Sequence, residues 1–231
     1  MPNGCEIAIG GGATQKHPEI KRFLRGLKSF NLIPNITVNQ FHFQEDFETI
    51  SSLVFDKYTY GMGVSFIREE PFDGVRNVWK DYDHLVFHLI LGIHTLDDLD
   101  FILKNAPRRA KVLLLGYKQF GNGINFYQKR SESIDNNIYQ WLTKLHTYFR
   151  RDDLILSFDN LAIEQLKMRR FFPDSEWARF YQGADGGEDM GSMYVDLVKK
   201  EYSYSSKDNR RFFIDGELKS GNMFRNLRDN L

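Results

Sequence analysis

Residues 5–20 read CEIAIGGGATQKHPEI, and this stretch sets the reading of the whole chain. An apolar run, Cys5–Ile9, ends in Gly10, Gly11 and Gly12. Shortly after, Pro18 opens a segment in which Ile20, Phe23, Leu24 and Leu27 recur at three- and four-residue spacing. That spacing is one apolar face of a helix, and proline suits a first helical turn, where its missing N–H goes unused. The order is strand, glycine turn, helix. Three glycines strip every side chain from the strand's tip. Either the turn needs a positive φ, which glycine adopts without penalty, or a ligand has to touch the backbone itself.

The same unit repeats along the chain. Strand candidates fall at Cys5–Ile9, Ile33–Val38, Gly61–Ile67, Leu85–Leu91, Lys111–Leu115 and Leu154–Phe158. Between them lie segments of helical periodicity at Pro18–Phe30, Asp46–Lys57, Leu96–Asn105 and Ile134–Phe149, with a shorter one at Val75–Lys80. Alternation of this kind implies parallel strands joined by crossover helices. Runs such as LVFHLILG and VLLLG are nearly continuously apolar, which predicts a sheet covered on both faces, either doubly wound or closed toward a barrel. After Phe172 the rhythm stops. The stretch QGADGGEDMGSMYVDLVKKEYSYSS and the later RRFFIDGEL predict a small antiparallel appendage, dividing the chain into 1–172 and 173–231, with the second part packed on the first.

Charge narrows the partners. Lysine plus arginine and aspartate plus glutamate both number 31 in 231 residues, for zero net charge. A nucleic-acid binder needs an electropositive face for phosphates, whereas pairs such as Arg108-Arg109 and Arg210-Arg211 are scattered as in a solvated surface. No apolar run nears the ~18 residues of a membrane span. The first residues, MPNGCEIAIGGG, lack the features of a signal peptide, which gives a cytoplasmic expectation. Cys5 is the single cysteine, so no intrachain disulfide can form.

Ligands of parallel α/β proteins bind at the carboxyl ends of the strands. Those ends carry Gly10-Gly11-Gly12, Asn39-Gln40, Ser65, Gly92-Ile93-His94, Gly116-Tyr117-Lys118 and Asp159-Asn160. Turns are polar in any fold, but the repeated glycines favour a ligand lying against backbone in one shared concavity. Neither G-x-G-x-x-G nor a Walker phosphate loop is present. His88 and His94 come without the carboxylate or thiolate pattern of a metal site, and a structural role is the more economical reading for both.

With these residues in view, the chain resembles the radical S-adenosylmethionine enzymes. In EIAIGGGATQKHPEIKRFLRGLKSFNLIPNITVNQ, the frame GGGATQKHP followed by TVNQ matches the family's GGGEPTLHP and T-x-N-G elements. HLVFHLILGIHTLDDLDFIL is similar to the strand element that packs on adenine, VLLLGYKQFGNG to the sixth strand, and GSMYVDLVKKEYSYSS to the family's C-terminal region. The resemblance implies a partial parallel (β/α) barrel with a small β-rich C-terminal appendage, binding S-adenosylmethionine. Gly10, Gly11 and Gly12 would offer carbonyls to the methionyl ammonium. Asn39 and Ser65 would lie near ribose or carboxylate. His88, Ile90 and Gly92 would lie along the adenine, with Tyr117 and Lys118 at the last strand tip.

The family's chemistry also requires a [4Fe–4S] cluster on a C-x-x-x-C-x-x-C loop that follows its first strand. Cluster iron is held by several thiolates, and Cys5 alone cannot supply them. The first strand of this chain corresponds to the family's second, and Ala13 stands where the motif has glutamate. Three readings follow. In the first, the chain is the cluster-less part of a split or truncated radical S-adenosylmethionine enzyme, active only with a separately encoded piece that brings strand one and the cysteine loop. In the second, it is a degenerate, non-catalytic relative that binds a ligand or partner. In the third, it is a metal-independent barrel enzyme whose glycines hold phosphate. A barrel lacking its first strand exposes the edge of Cys5–Ile9, which predicts self-association.

Overall fold

The computed structural model describes residues 4–10, 12–119, 121–181, 193–196, 198–205, 208–214 and 220–230. Gly11 and the glycine-rich stretch 182–192, both singled out from the sequence, lie outside the described residues.

In chain order the elements are β1 (Glu6–Ile9), α1 (Ile20–Ser29), β2 (Ile33–Asn39), α2 (His42–Glu45), α3 (Phe47–Phe55), β3 (Gly61–Ser65), α4 (Asp73–Asp81), β4 (Leu85–Ile90) and α5 (Leu96–Asn105). There follow β5 (Ala110–Leu115), α6 (Asn122–Lys144), β6 (Leu154–Phe158), α7 (Asn160–Gln165), α8 (Asp174–Phe180), β7 (Tyr194–Asp196), β8 (Glu201–Ser203), β9 (Phe212–Phe213) and α9 (Ser220–Asp229). The chain is α/β. Strands β1 to β6 form one sheet in sequential order, and all five pairings are parallel. Strands β7 to β9 form a separate antiparallel sheet.

Sequential order excludes a doubly wound sheet, in which the strand order reverses. Right-handed crossovers between neighbours that all progress in one direction deliver their helices to one face. Burial shows that face: Ile36 and Val38, Met62 and Val64, Phe87 and Leu89, Val112 and Leu114 are all buried. Trp79 of α4 packs edge-on against Phe87 at a ring separation of 4.8 Å, and Phe72 stacks on the same ring at 5.6 Å. The alternate residues of the same strands are mostly half-buried or exposed. The expectation of two covered faces is therefore corrected. The apolar runs alternate between a packed face and an accessible one, and residues such as Leu113 and Ile155 keep the accessible face mixed rather than polar.

Two compact units divide the chain after Met168. The larger holds the parallel sheet and α1 to α7. Within the smaller, Tyr202, Tyr204, Met223 and Leu227 form a core against which Met193, Val195, Phe212 and Ile214 pack. The Tyr204 hydroxyl donates to the Leu227 carbonyl at 2.6 Å, tying β8's end to α9. Helix content here exceeds the sequence expectation of strands alone. Helix α6 also begins earlier than its apolar periodicity predicts, and its backbone breaks at Arg130 (φ −141°, ψ 24°).

Candidate functional site

Register builds the site. Asn39 pairs with Ser65, Ser65 with His88, His88 with Leu113, and Leu113 with Ser157. Paired residues of neighbouring strands share a face, so these five side chains form one row across β2 to β6 on the accessible face. At ~4.8 Å between strands the row spans ~19 Å. One pleat toward the amino ends, Thr37 pairs with Gly63, and Gly63 with Val86. One pleat beyond lies Ile90, paired with Leu115 and 36% exposed.

His88 is the centre of this face. A Cβ on Gly63 would meet His88 Cε1 at 2.5 Å, Nε2 at 2.6 Å and Thr37 Oγ1 at 2.9 Å. The imidazole and the threonine hydroxyl thus lean together over a strand position that only glycine leaves open. Burial lowers the His88 pKa from its ordinary 6.5, which holds the ring neutral. Among the described residues, the side chains of Thr37, Asn39, Ser65 and His88 make no hydrogen bond. All four are half-buried on the accessible face. Polar groups without protein partners, side by side on such a face, leave hydrogen-bonding capacity for a polar ligand.

The glycine turn adjoins this surface through Gly10. Gly12 has φ +113°, so the turn itself requires glycine there, and its surroundings are open. Gly10 differs. Its φ is not positive, and among the described residues a Cβ would meet Thr37 Cβ at 3.7 Å and Thr37 Oγ1 at 4.0 Å, both ordinary contacts. Nothing among the described residues demands glycine at position 10. Gly10 also lines a cleft of about 660 Å³ with Ile9, Ala13, Thr14, Ile20 and Phe23. Behind the turn sits a polar knot that sequence reading missed. Gln15, buried, donates from Nε2 to Asp46 Oδ2 at 2.9 Å, while its Oε1 has no partner. Lys16 reaches Glu45 at 2.8 Å and Asp46 at 3.6 Å.

Most of the remaining predicted residues have structural duties. Gly92 has φ +81°, and a Cβ there would meet Ile134 Cγ2 of α6 at 2.6 Å; its carbonyl accepts from Asn137. Helix packing explains this glycine. His94 is satisfied at both nitrogens: Nδ1 accepts from the Ile90 N–H at 2.8 Å, and Nε2 donates to the Phe66 carbonyl at 3.0 Å. Tyr117 is buried, with its hydroxyl donating to the Gly123 carbonyl and its backbone N–H and C=O both bound by the Gln165 amide. Lys118 is exposed on the segment after β5. Asp159 caps α7, accepting from Ala162 N–H at 2.7 Å and from Gly116 N–H at 2.9 Å. Thr37, Gly63 and Ser157 escaped the sequence reading. For Thr37 and Gly63 the signal was the two-residue period of T-V-N and G-M-G-V-S, which places them on the face of Asn39 and Ser65; Ser157 joins the row through its pairing with Leu113.

Comparisons with protein-family models, curated proteins and solved structures return no match to this chain. Among the described residues, no group of three or more His, Cys, Asp or Glu side chains could hold a metal ion, and no helix is long and apolar enough to cross a membrane.

Proposed function

We propose that this chain is a radical S-adenosylmethionine-like protein that binds S-adenosylmethionine across the accessible face of its parallel sheet, at the carboxyl ends of β1 to β4. The observation that supports it is the contiguous set of unpartnered polar groups, Thr37, Asn39, Ser65 and His88, beside a glycine the fold does not require. In this reading carbonyls of the glycine turn accept the methionyl ammonium, Asn39 and Ser65 serve ribose or carboxylate, and neutral His88 with Ile90 flanks the adenine. The bound group supplies an activated sulfonium; this chain's residues bind and orient it.

The [4Fe–4S] cluster of the family does not fit this chain. The single thiol, Cys5, is half-buried and precedes β1, and one thiolate does not hold a cluster. No reductive step therefore belongs to these residues alone. Chemistry of that kind needs a partner that brings the cysteine loop, and the outer edge of β1, which no described strand pairs, is where an additional parallel strand would join. With Ala13 at the motif's glutamate position, the alternative is a degenerate relative that retains binding without turnover.

Calorimetry with S-adenosylmethionine tests the reading. Binding is expected to be weak. The Asn39→Ala/Ser65→Ala pair should lower affinity about tenfold, because each lost hydrogen bond contributes about 0.5–1.5 kcal/mol. Gly10→Ala should also weaken binding, while leaving the melting temperature unchanged or slightly raised, since alanine restricts only the unfolded chain where its Cβ fits. No detectable binding, or binding indifferent to all three substitutions, would overturn the proposal.

A further inference from the structure

At the opposite end of the sheet, the starts of β2, β3 and β4 enclose a cleft of about 480 Å³ that the strand-end site does not use. Clefts of this size take small organic ligands. Leu32, Pro34 and Val54 give it an apolar floor. One wall is aromatic: His84 lies against Tyr60 at a ring separation of 4.4 Å and meets Tyr82 edge-on at 5.8 Å. The wall is fixed in place, because the Tyr82 hydroxyl donates to the Tyr60 carbonyl at 2.5 Å. Burial pushes the Tyr82 pKa up to about 12, so that hydroxyl stays a donor.

The rim carries charge. Lys57 has φ +60°, and its carbonyl accepts from Lys28 Nζ at 2.5 Å, which anchors its backbone at the cleft mouth. The Lys57 ammonium has no carboxylate partner among the described residues. Lys28 and Asp81 line the same cleft, so its rim carries two lysines to one aspartate. Tyr60 remains 51% exposed beside them, a flat apolar face open to a guest.

We propose that this cleft binds a flat aromatic acid, with its ring stacked on the Tyr60–His84 wall and its carboxylate at Lys57. A ring gains from an aromatic wall through offset or edge contact beyond simple burial. A carboxylate gains from an unpaired ammonium, most of all where the neighbouring floor is apolar. The proposal is independent of S-adenosylmethionine binding, which occupies the other end of the strands.

Calorimetry on the full chain with indole-3-acetate, and with the neutral alcohol tryptophol, tests it. The acid should bind several-fold more tightly than the alcohol. Tyr60→Ala should weaken both about tenfold, since an aromatic contact contributes about 0.5–1.5 kcal/mol; only the Tyr60 backbone holds Tyr82, so the wall's anchor survives. Lys57→Asn keeps a residue that tolerates the left-handed backbone. It should reduce the acid to the affinity of the alcohol without changing the alcohol. Gly10→Ala should alter neither. Equal binding of acid and alcohol, no binding of either, or affinities indifferent to both cleft variants would overturn the proposal.

Discussion

His42, buried, and His88, half-buried, both have pKa values below the ordinary 6.5, and both contribute to how this protein responds to acid. For His88 burial is the cause. For His42, whose Nδ1 accepts the Asn39 N–H at 3.3 Å, burial outweighs the nearby Asp46 carboxylate. In the unfolded chain both rings take a proton as pH falls below about 6.5, while in the folded chain both resist until lower pH. Where the unfolded state binds more protons, stability rises with pH. Stability is therefore expected to be at its full value above pH 6.5 and to fall as pH drops below it. Urea unfolding at pH 8, 6.5 and 5 measures this, and His88→Gln should flatten part of the decline. An unchanged decline in the variant would mean that His88 titrates freely in the folded chain.

At the scale of elements, two substitutions separate conformation from ligand access. Gly92→Ala forces alanine into φ +81° and drives a Cβ into Ile134, so β4's exit and α6 must part. It is expected to destabilise by about 2–3 kcal/mol, as strain and overpacking combine. The contrast with the tolerated Gly10→Ala is the point: one glycine serves the fold, the other leaves backbone bare. Asp159 joins two elements by accepting from α7's first turn and from Gly116 after β5. Removing that carboxylate in Asp159→Ala is expected to lose about 1–2 kcal/mol, the usual worth of a helix N-cap. Denaturant midpoints of the three variants should rank Gly10→Ala highest and Gly92→Ala lowest.

For the whole molecule, the sheet's sequential order leaves β1 paired only with β2 among the described residues. Within β1 the one charged side chain, Glu6, accepts from Asn35 Nδ2 at 3.0 Å rather than guarding the outer edge. Ile7 and Ile9 are half-buried and Ala8 is exposed. An apolar edge of this kind templates further strand pairing. The purified chain is expected to self-associate with rising concentration in size-exclusion chromatography with light scattering. Ala8→Lys, which places a charge on the exposed edge, should shift it toward monomer. A strand-donating partner should do the same and raise the melting temperature, because its binding energy adds to folding. A wild-type monomer at every concentration would show that this edge does not recruit strands.

The alternation of strand and helix was legible in the sequence because it rests on local periodicity. Ile20, Leu24 and their repeats build a helix face wherever the chain goes, and VLLLG builds a strand. The gathering of Gly10, Asn39 and Ser65 at one end was legible for the same reason: parallel strands bring their carboxyl ends together; His88 was placed there only through the family resemblance. Glycine's meaning was not. Gly10, Gly12, Gly63 and Gly92 read alike as letters. Only the tertiary structure distinguishes a bare backbone, a positive φ, a strand roofed by His88 and Thr37, and a seat for Ile134, because each depends on neighbours distant in the chain. The same holds for Tyr117 and His94, whose polar atoms are consumed by Gly123, Gln165, Ile90 and Phe66. It holds too for the accessible face, which follows from the order in which strands pair and the hand of their crossovers, neither of which is encoded in any one segment.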